Sequence, residues 1–127
     1  MKNVLVIGST GQIGSELTGE LRKRYGNSNV VAGYIQGAEP KGELKDAGPC
    51  AIADVTNPEM IAEVVRKYNI DTIYNLAALL SVVAESKPRL AWKIGIDGLW
   101  NILEVARENG CAVFTPSSIR SDPTRRM

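Results

Sequence analysis

Apolar residues in this chain occur in short uninterrupted runs, and these runs alternate with longer segments of helical period. Five runs, most of them rich in β-branched residues, predict strands, because a strand buried on both faces of a parallel sheet is apolar throughout. The predicted strands are 3–7, 29–34, 51–53, 71–76 and 112–115. The segments between them are where crossover connections are expected.

The first two connections differ in character. Segment 12–25 carries apolar residues four positions apart, which predicts a helix, and Gly26 follows it as a C-terminal stop. Segment 36–48 is rich in glycine, proline and charge, which predicts a surface loop. The apolar positions of the predicted helix are Ile13, Leu17 and Leu21.

Two further helices are predicted in the second half of the chain. One starts at the Asn57-Pro58 pair, where a capping side chain precedes a proline in the first turn, and it ends near Tyr68. The other spans about 86–109 and is closed by Gly110. Their apolar faces consist of Ile61, Val64 and Val65 in the first, and of Leu90, Ile94, Leu99, Ile102, Leu103 and Ala106 in the second.

The alternation of strands and helices predicts an α/β fold with a doubly wound, parallel sheet of the Rossmann type. Right-handed crossovers between parallel strands are nearly universal, and they give an expected strand order of 3-2-1-4-5. The length of 127 residues suits a single domain. An apolar content of 44% is that of an ordinary globular protein, which argues against disorder.

Charge and composition narrow the classes of function. With 15 basic and 14 acidic residues, the net charge of +1 favours neither nucleic acid nor an anionic membrane as a partner. The chain has no histidine, and Cys50 and Cys111 form no C-x-x-C motif, so we expect no metal and no histidine acid–base chemistry. Two buried, reduced thiols, no visible signal peptide and no apolar stretch of ~20 residues predict a soluble cytoplasmic protein, or a mitochondrial one if it is eukaryotic.

Three glycines directly after the first strand carry the strongest functional signal. Gly8, Gly11 and Gly14 have a G-x-x-G-x-x-G spacing between a buried strand and a predicted helix. In such a turn one glycine ends the strand, another lets backbone N–H groups approach a pyrophosphate, and a third lets the helix pack on the strand. The positive end of the helix dipole then points at the phosphates. The motif predicts a dinucleotide-binding site, and the alternative is a glycine-rich turn without a ligand.

Further motifs extend this pattern into a family resemblance. The G-x-x-G-Q-I-G loop is followed by Asp54-Val55, by an L-A-A-L-L-S segment at 76–81 and by a P-S-S-I segment at 116–119. Together they resemble the extended short-chain dehydrogenase/reductase superfamily, and they are most similar to its NAD-dependent L-threonine 3-dehydrogenases. The resemblance runs from the first residue to about residue 119, so we expect 1–119 to be the N-terminal part of an NAD(P)-binding Rossmann domain and 120–127 to be an irregular tail.

The resemblance implies a cofactor, NAD, and a set of residues that contact it. The glycine loop would hold the pyrophosphate, the segment after the third strand would hold the adenine, and the end of the fourth strand would lie against ribose. The implied contacts are Gly8, Gly11, Gln12, Ile13 and Gly14, then Asp54 and Val55, then Leu76, Ala77 and Ala78. For Asp54 a purely local role in closing its loop is the alternative, and for 76–78 it is plain strand packing.

Two serines are the residues that the resemblance implies for substrate chemistry. Ser118 would be the catalytic hydroxyl that hydrogen-bonds the substrate oxygen while a hydride leaves the carbon, with L-threonine as the substrate. Ser81 would contact the substrate in the loop after the fourth strand. The alternative for Ser118 is a simple Ser-Ser turn after Pro116.

Three departures from the family pattern affect the expected activity. Tyr34 stands where an acid about 20 residues after the glycines normally holds the ribose. In the long helix, Gly95 and Asp97 stand where the family usually has asparagines. None of the four tyrosines is followed by a lysine four residues later, so the Tyr-x-x-x-Lys pair is missing. We therefore expect a truncated product that binds NAD weakly and has negligible turnover by itself.

Several functions stay open on the sequence alone. The first is NAD-dependent oxidation of L-threonine to 2-amino-3-ketobutyrate by the complete enzyme. The second is a sugar-nucleotide epimerase or dehydratase, which shares the glycine loop and Asp54. The third is a non-catalytic dinucleotide-binding module that pairs with a full-length homologue, and the last is a remnant without a role. An apolar strand at 112–115, left at the edge of the sheet, also predicts self-association.

Overall fold

The structure, a computed structural model, describes residues 2–77 and 88–115, and in the last helix it describes side chains from residue 96 onward. Within these residues the strands are β1 (Val4–Ile7), β2 (Val30–Tyr34), β3 (Cys50–Ile52), β4 (Thr72–Asn75) and β5 (Ala112–Phe114). The α-helices of the same ranges are α1 (Gln12–Tyr25), α2 (Glu43–Asp46), α3 (Pro58–Lys67) and α4 (Pro88–Asn109), and a short 3₁₀ helix lies at Asn27–Asn29.

All five strands lie in one parallel sheet in the order β3-β2-β1-β4-β5. The predicted α/β class, Rossmann-type topology and strand order are therefore confirmed. At the centre, Val4 of β1 is in register with Val30 of β2 on one side and with Thr72 of β4 on the other. The strand bounds differ from the predicted ones by one residue at most ends, as expected for strand ends that carry no distinct sequence signal.

The caps that the sequence predicts are present. The Asn57 side chain accepts a hydrogen bond from Met60 N at the start of α3. Gly26 and Gly110 follow α1 and α4 with φ angles of 103° and 70°, a backbone conformation that favours glycine. The expected loop at 36–48 was wrong in one respect, because it contains the single-turn helix α2, which starts after Gly42.

The core consists of two apolar clusters, one on each face of the sheet. α3 and α4 cover one face through residues such as Ile61, Val65 and Ile102, which are fully or almost fully buried. α1 covers β1 and β2 on the other face, with Leu21 as its most buried apolar side chain. Leu103 lies outside the core with 45% exposure, so its predicted place on the apolar face of the long helix was wrong.

The two cysteines are free thiols, as expected, but both are only half-buried. Cys111 Sγ donates a hydrogen bond of 3.1 Å to Ile70 O. Burial, and to a smaller extent the charge of Asp71, raises the pKa of the Cys111 thiol. Among the helices in the described part of the chain, none is long and apolar enough to cross a membrane.

Asp71 ties together the amino ends of three strands. Its Oδ2 accepts hydrogen bonds of 2.9 Å from the backbone N–H groups of Lys2 and Asn3, and its Oδ1 accepts one of 2.7 Å from Thr72 Oγ1. Its own carbonyl accepts from Ala112 N at 3.0 Å. Burial raises the pKa of Asp71, but the bonds from Thr72, Asn3 and Lys2 outweigh it, so the pKa lies below its ordinary value.

We predict that Asp71→Asn lowers the free energy of unfolding at neutral pH by about 1–2 kcal/mol, because charge-assisted bonds to two amides are weakened at a partly exposed site. The pKa of Asp71 is lower in the folded state than in the unfolded one. Its stabilisation is therefore complete above the unfolded pKa and is lost as the pH falls through the folded pKa. Urea unfolding as a function of pH measures both effects.

The matched control for this prediction is Asp46→Asn, which removes the same charge from an exposed position on α2. We expect its unfolding curve to follow that of the unmodified chain across the acidic range. Equal losses of stability in the two variants would contradict a specific role of Asp71.

Candidate cofactor-binding site

The candidate site lies at the carboxyl edge of the sheet, where the strand order reverses. β1 pairs with β2 on one side and with β4 on the other. The connection from β1 to β2 places α1 on one face, whereas α3 and α4 pack on the opposite face. In open α/β sheets this switch point opens a crevice beyond the strand ends, where ligands bind.

Gly8 makes the turn that ends β1. Its φ angle of 83° lies in the region that side chains disfavour, and Gly11 N donates to Gly8 O at 3.3 Å across the turn. A Cβ at Gly8 would lie 3.0 Å from the carbonyl carbon of Leu76. The turn therefore needs glycine both for its backbone conformation and for the close approach of the chain that follows β4.

Gly14 places the first turn of α1 directly on the turn after β1. A Cβ at this position would overlap Gly8 O and would lie 2.9 Å from Ser9 Cα. Within α1, the Oγ1 of the fully buried Thr18 donates to Gly14 O at 2.7 Å. Gly14 is thus the glycine that lets the helix pack on the strand, as the motif predicts.

Gly11 is under no comparable constraint from the protein. Its φ of −73° and ψ of 173° are accessible to any residue, and a Cβ would have only Gly8 O nearby, at an ordinary contact distance of 3.6 Å. Gly11 is the N-cap residue of α1, and glycine has no side chain that could satisfy the first N–H groups of the helix. These N–H groups and the positive helix end suit an anionic group such as a pyrophosphate.

Gln12 and Ile13 follow at the start of α1. Both side chains are exposed, and Ile13 has 57% of its surface accessible. An exposed isoleucine beside the glycine turn offers apolar surface to a bound molecule at the place where the resemblance implies a cofactor contact.

Ser9 is a site residue that the sequence analysis missed. It is completely buried, and both its backbone N–H and its Oγ donate to Gly33 O, at 3.0 Å and 2.8 Å. These two bonds fix the glycine turn to the end of β2. Serine is common in exposed loops, so nothing in the local pattern distinguishes this buried one.

Asp54 lies at the carboxyl end of β3, and its Oδ1 has a local structural role. It accepts hydrogen bonds from Thr56 N at 2.9 Å and from Thr56 Oγ1 at 2.7 Å. Among the described residues, Oδ2 accepts no hydrogen bond, so this oxygen is available to an amino group of a ligand. Val55, the next residue, is buried with 7% exposure. The local and the ligand-binding interpretations of Asp54 are therefore compatible.

Leu76 and Ala77 lie opposite the glycine turn. Leu76 is buried, its N–H donates to Ile7 O at 2.9 Å, and its backbone is the nearest neighbour of Gly8. Ala77 N donates to the buried side chain of Asn75 at 3.2 Å. Three of the predicted site residues, Ala78, Ser81 and Ser118, lie outside the described residues.

A phenol, that of Tyr34, and a carboxylate, that of Glu39, lie at the end of β2 and shortly after it. Tyr34 ends the strand and is half-buried, and its carbonyl accepts from Ala53 N at 2.8 Å. The chain turns back at once, and the exposed Glu39 accepts a bond of 3.0 Å from Gly37 N through its Oε2. This bond lowers the pKa of Glu39. Glu39 lies beyond the spacing of about 20 residues at which an acid is expected, so the motif does not point to it.

Comparison with known proteins places this geometry in a family. Residues 4–121 match the model of the NAD dependent epimerase/dehydratase family. A relative from Staphylococcus epidermidis, named an uncharacterized epimerase/dehydratase, is 47% identical over 119 residues, which are 94% of this chain and 37% of the relative.

Solved structures agree with this assignment. L-threonine dehydrogenase from Clostridium difficile superposes with a TM-score of 0.84 at 47% identity, covering 93% of this chain and 37% of that one. A GalE-like L-threonine dehydrogenase from Cupriavidus necator, in its holo form, gives 0.80 at 38% identity over 91% and 37%. UDP-glucose 4-epimerase from Thermus thermophilus, in complex with NAD, gives 0.72 at 26% identity over 85% and 34%.

The chain thus spans a little more than a third of the length of the relatives that it matches. The resemblance predicted from the motifs is confirmed, and so is the predicted cofactor, because NAD is the cofactor of the matched family. With its glycine turn, its strand order and its match over residues 4–121, the chain belongs to the NAD dependent epimerase/dehydratase family.

Proposed function

We propose that this chain is the NAD-binding part of an oxidoreductase of the L-threonine 3-dehydrogenase type, which oxidises L-threonine to 2-amino-3-ketobutyrate in threonine catabolism. The observation that carries the proposal is the glycine turn closed by Gly14 against Gly8, in a chain that is 47% identical to the L-threonine dehydrogenase of C. difficile. Bound NAD supplies the hydride acceptor for such a reaction.

In this proposal, different groups of the described residues contact different parts of NAD. The start of α1, directly after the glycine turn, offers the backbone N–H groups that would bind the pyrophosphate, and the exposed side chain of Ile13 would lie beside the bound group. Asp54 Oδ2 would accept from the adenine amino group, and the backbone of Leu76 and Ala77 would lie against a ribose. This division rests on the positions of the strand ends and on the family resemblance.

One charged residue favours NAD over NADP in this proposal. Tyr34 does not discriminate between them, because a phenol offers the ribose a single hydrogen bond and carries no negative charge. Glu39 brings a negative charge to the turn after β2, and this charge would repel the 2′-phosphate of NADP.

The substrate chemistry in this proposal is carried by resemblance alone. Ser118 would orient the substrate hydroxyl by a hydrogen bond, and Ser81 would contact the substrate, with Ala78 beside the cofactor. All three lie outside the described residues.

We predict that substitution by alanine has different effects at Gly11 and at Gly14, the two glycines at the start of α1. Gly11→Ala keeps the free energy of unfolding within about 1 kcal/mol, because its Cβ fits, but it weakens NAD binding on the order of tenfold by blocking the approach of the pyrophosphate. Gly11→Trp abolishes binding. Gly14→Ala lowers stability by about 1–3 kcal/mol through overlap with Gly8 O.

Titration calorimetry with NAD and thermal unfolding together measure these effects. The control is Gly19→Ala on the exposed side of the same helix, where a Cβ has no neighbour within 4 Å. We expect this variant to bind NAD normally and to be more stable by up to about 1 kcal/mol. Normal NAD affinity in Gly11→Trp, or no saturable binding by the unmodified chain, would refute the proposed cofactor site.

A sugar-nucleotide epimerase or dehydratase is the second candidate function. It is favoured because the staphylococcal relatives are named epimerase/dehydratases and because the chain is similar to UDP-glucose 4-epimerase. The two candidates differ in their net redox balance, because threonine oxidation accumulates NADH whereas epimerisation returns the hydride to the sugar.

We predict that the 127-residue polypeptide produces no NADH from L-threonine, since no Tyr-x-x-x-Lys pair occurs among its residues. The full-length S. epidermidis relative is the appropriate comparison, and we expect it to reduce NAD when L-threonine is added. Conversion of UDP-glucose to its epimer by that relative, without NADH formation from threonine, would instead favour the epimerase. Threonine-dependent NADH formation by the 127-residue chain would contradict the expectation that the reaction requires a Tyr-x-x-x-Lys pair.

The third candidate, a module that pairs with another chain, is favoured by the outer edge of the sheet. Within residues 2–77 and 88–115, β5 pairs only with β4, and Phe114 is 49% exposed while its ring stacks on Tyr74 at a centroid distance of 5.1 Å. Open apolar strand edges favour pairing with another strand.

We therefore predict that the isolated chain self-associates and that Phe114→Lys reduces the association by placing a charge on this edge. Light scattering as a function of concentration gives the mass of the species in solution. Glu108→Lys, an exposed change on α4, serves as the control. A monomeric unmodified chain with a sharp thermal transition would count against this prediction.

A further inference from the structure

The segment that carries Asp54 and Val55 is in close contact with α4. A Cβ at Gly98 would lie 2.6 Å from Val55 Cγ2 and 2.9 Å from Val55 Cβ. Distances this short leave no room for any side chain at position 98 unless the backbone moves. Gly98 therefore lets α4 approach the loop after β3, and Val55 is buried as a result.

Asn101 adds a directed interaction to this contact. Its Nδ2 donates a hydrogen bond of 2.9 Å to Val55 O, between residues that are 46 positions apart in the chain. Gly98 and Asn101 are three residues apart, so they lie on the same face of the helix. One residue admits the loop and the other binds its backbone.

The segment around Asp54 and Val55 is also held by hydrogen bonds to β2 and within its own loop. Ala53 N donates to Tyr34 O at 2.8 Å, which joins its start to β2. Asp54 O and Oδ1 accept from Asn57 N and Thr56 N, both at 2.9 Å, which closes the loop towards α3. Among the described contacts, the bond from Asn101 is the one that fixes Val55 O. Without it, the backbone between Asp54 and Thr56 keeps only its local bonds.

We propose that Asn101, together with Gly98, is a positioning residue for the adenine end of the cofactor site. This inference rests on the proposed function, in which Asp54 and Val55 contact the adenine. Asn101 acts through Val55: it holds the carbonyl that precedes Thr56, and the orientation of the Asp54 carboxylate depends on that stretch of backbone. The helix that follows β4 thereby contributes to a subsite formed after β3.

A positioning role of this kind has a selective consequence. Loss of the Asn101 bond weakens binding of ligands that contain adenine, because the loop no longer has one fixed conformation when the ligand arrives. Binding of the nicotinamide half does not involve this loop. A purely structural role would instead lower stability without distinguishing between the two halves of the cofactor.

The test uses the 127-residue chain with Asn101→Leu, which has a similar volume and no donor, and Asn101→Asp, which keeps the shape but places a carboxylate against Val55 O. Asn109→Ala is the matched control, since Asn109 Nδ2 also donates to a carbonyl on α4, that of Val105, at 2.8 Å. Calorimetry measures binding of AMP, of nicotinamide mononucleotide and of NAD below the melting temperature of each variant.

We expect both Asn101 variants to bind AMP and NAD about fivefold more weakly than the unmodified chain, as loss of one hydrogen bond implies. Their affinity for nicotinamide mononucleotide should equal that of the unmodified chain. Unchanged AMP and NAD affinities in Asn101→Asp and Asn101→Leu, with NAD binding intact in the unmodified chain, would overturn the inference and leave the proposed function standing.

Hydrogen exchange of the Thr56 and Asn57 amides provides a readout that needs no ligand. Both amides donate within the Asp54 loop, and we expect them to exchange faster in the Asn101 variants but not in Asn109→Ala. If exchange is faster in the Asn101 variants but the unmodified chain binds neither NAD nor AMP, the proposed function is refuted, whereas the role of Asn101 in fixing the loop is supported. Unchanged exchange would refute that role.

Discussion

The arrangement of the candidate site depends on the contact between Gly14 and the turn at Gly8. Because no Cβ separates them, the first turn of α1 rests on the backbone that leaves β1, and its N–H groups are directed to the carboxyl edge of the sheet. Two further contacts at that edge are made to this same turn. Ser9 binds it to β2, and Leu76 packs against it from β4. A residue larger than glycine at position 14 would displace all of them together.

A second set of polar contacts holds the sheet at its opposite edge. Asp71 joins the amino ends of β1, β4 and β5. Arg22, near the end of α1, is 4% exposed and donates to the carbonyls of Val30, Leu44 and Pro49, which hold β2, α2 and the start of β3. These bonds satisfy buried donors at one edge. At the carboxyl edge, the first N–H groups of α1 have no side-chain cap, and they are the donors proposed for the ligand.

Sequence reasoning succeeded where one short segment decides the structure. The five strands, the cap at Asn57 and the stop at Gly26 depend on neighbouring residues, and their order follows from the handedness of the crossovers. It failed where distant residues meet. The buried bonds of Ser9 to β2, and the bond from Asn101 to Val55, join residues 24 and 46 positions apart, and no local pattern marks them. The exposure of Leu103 also depends on which neighbours cover α4.

The three glycines of the motif are therefore not equivalent as evidence for a ligand. Gly8 and Gly14 are required by the fold itself, through a positive φ angle and through helix packing, so a protein with the same turn and no ligand would also need them. Gly11 has an ordinary backbone conformation and room for a Cβ. In the proposed cofactor site, glycine at this position lets the pyrophosphate approach the start of α1 closely. Binding of NAD would therefore depend mainly on the middle glycine of the motif, whereas the fold accounts for the other two.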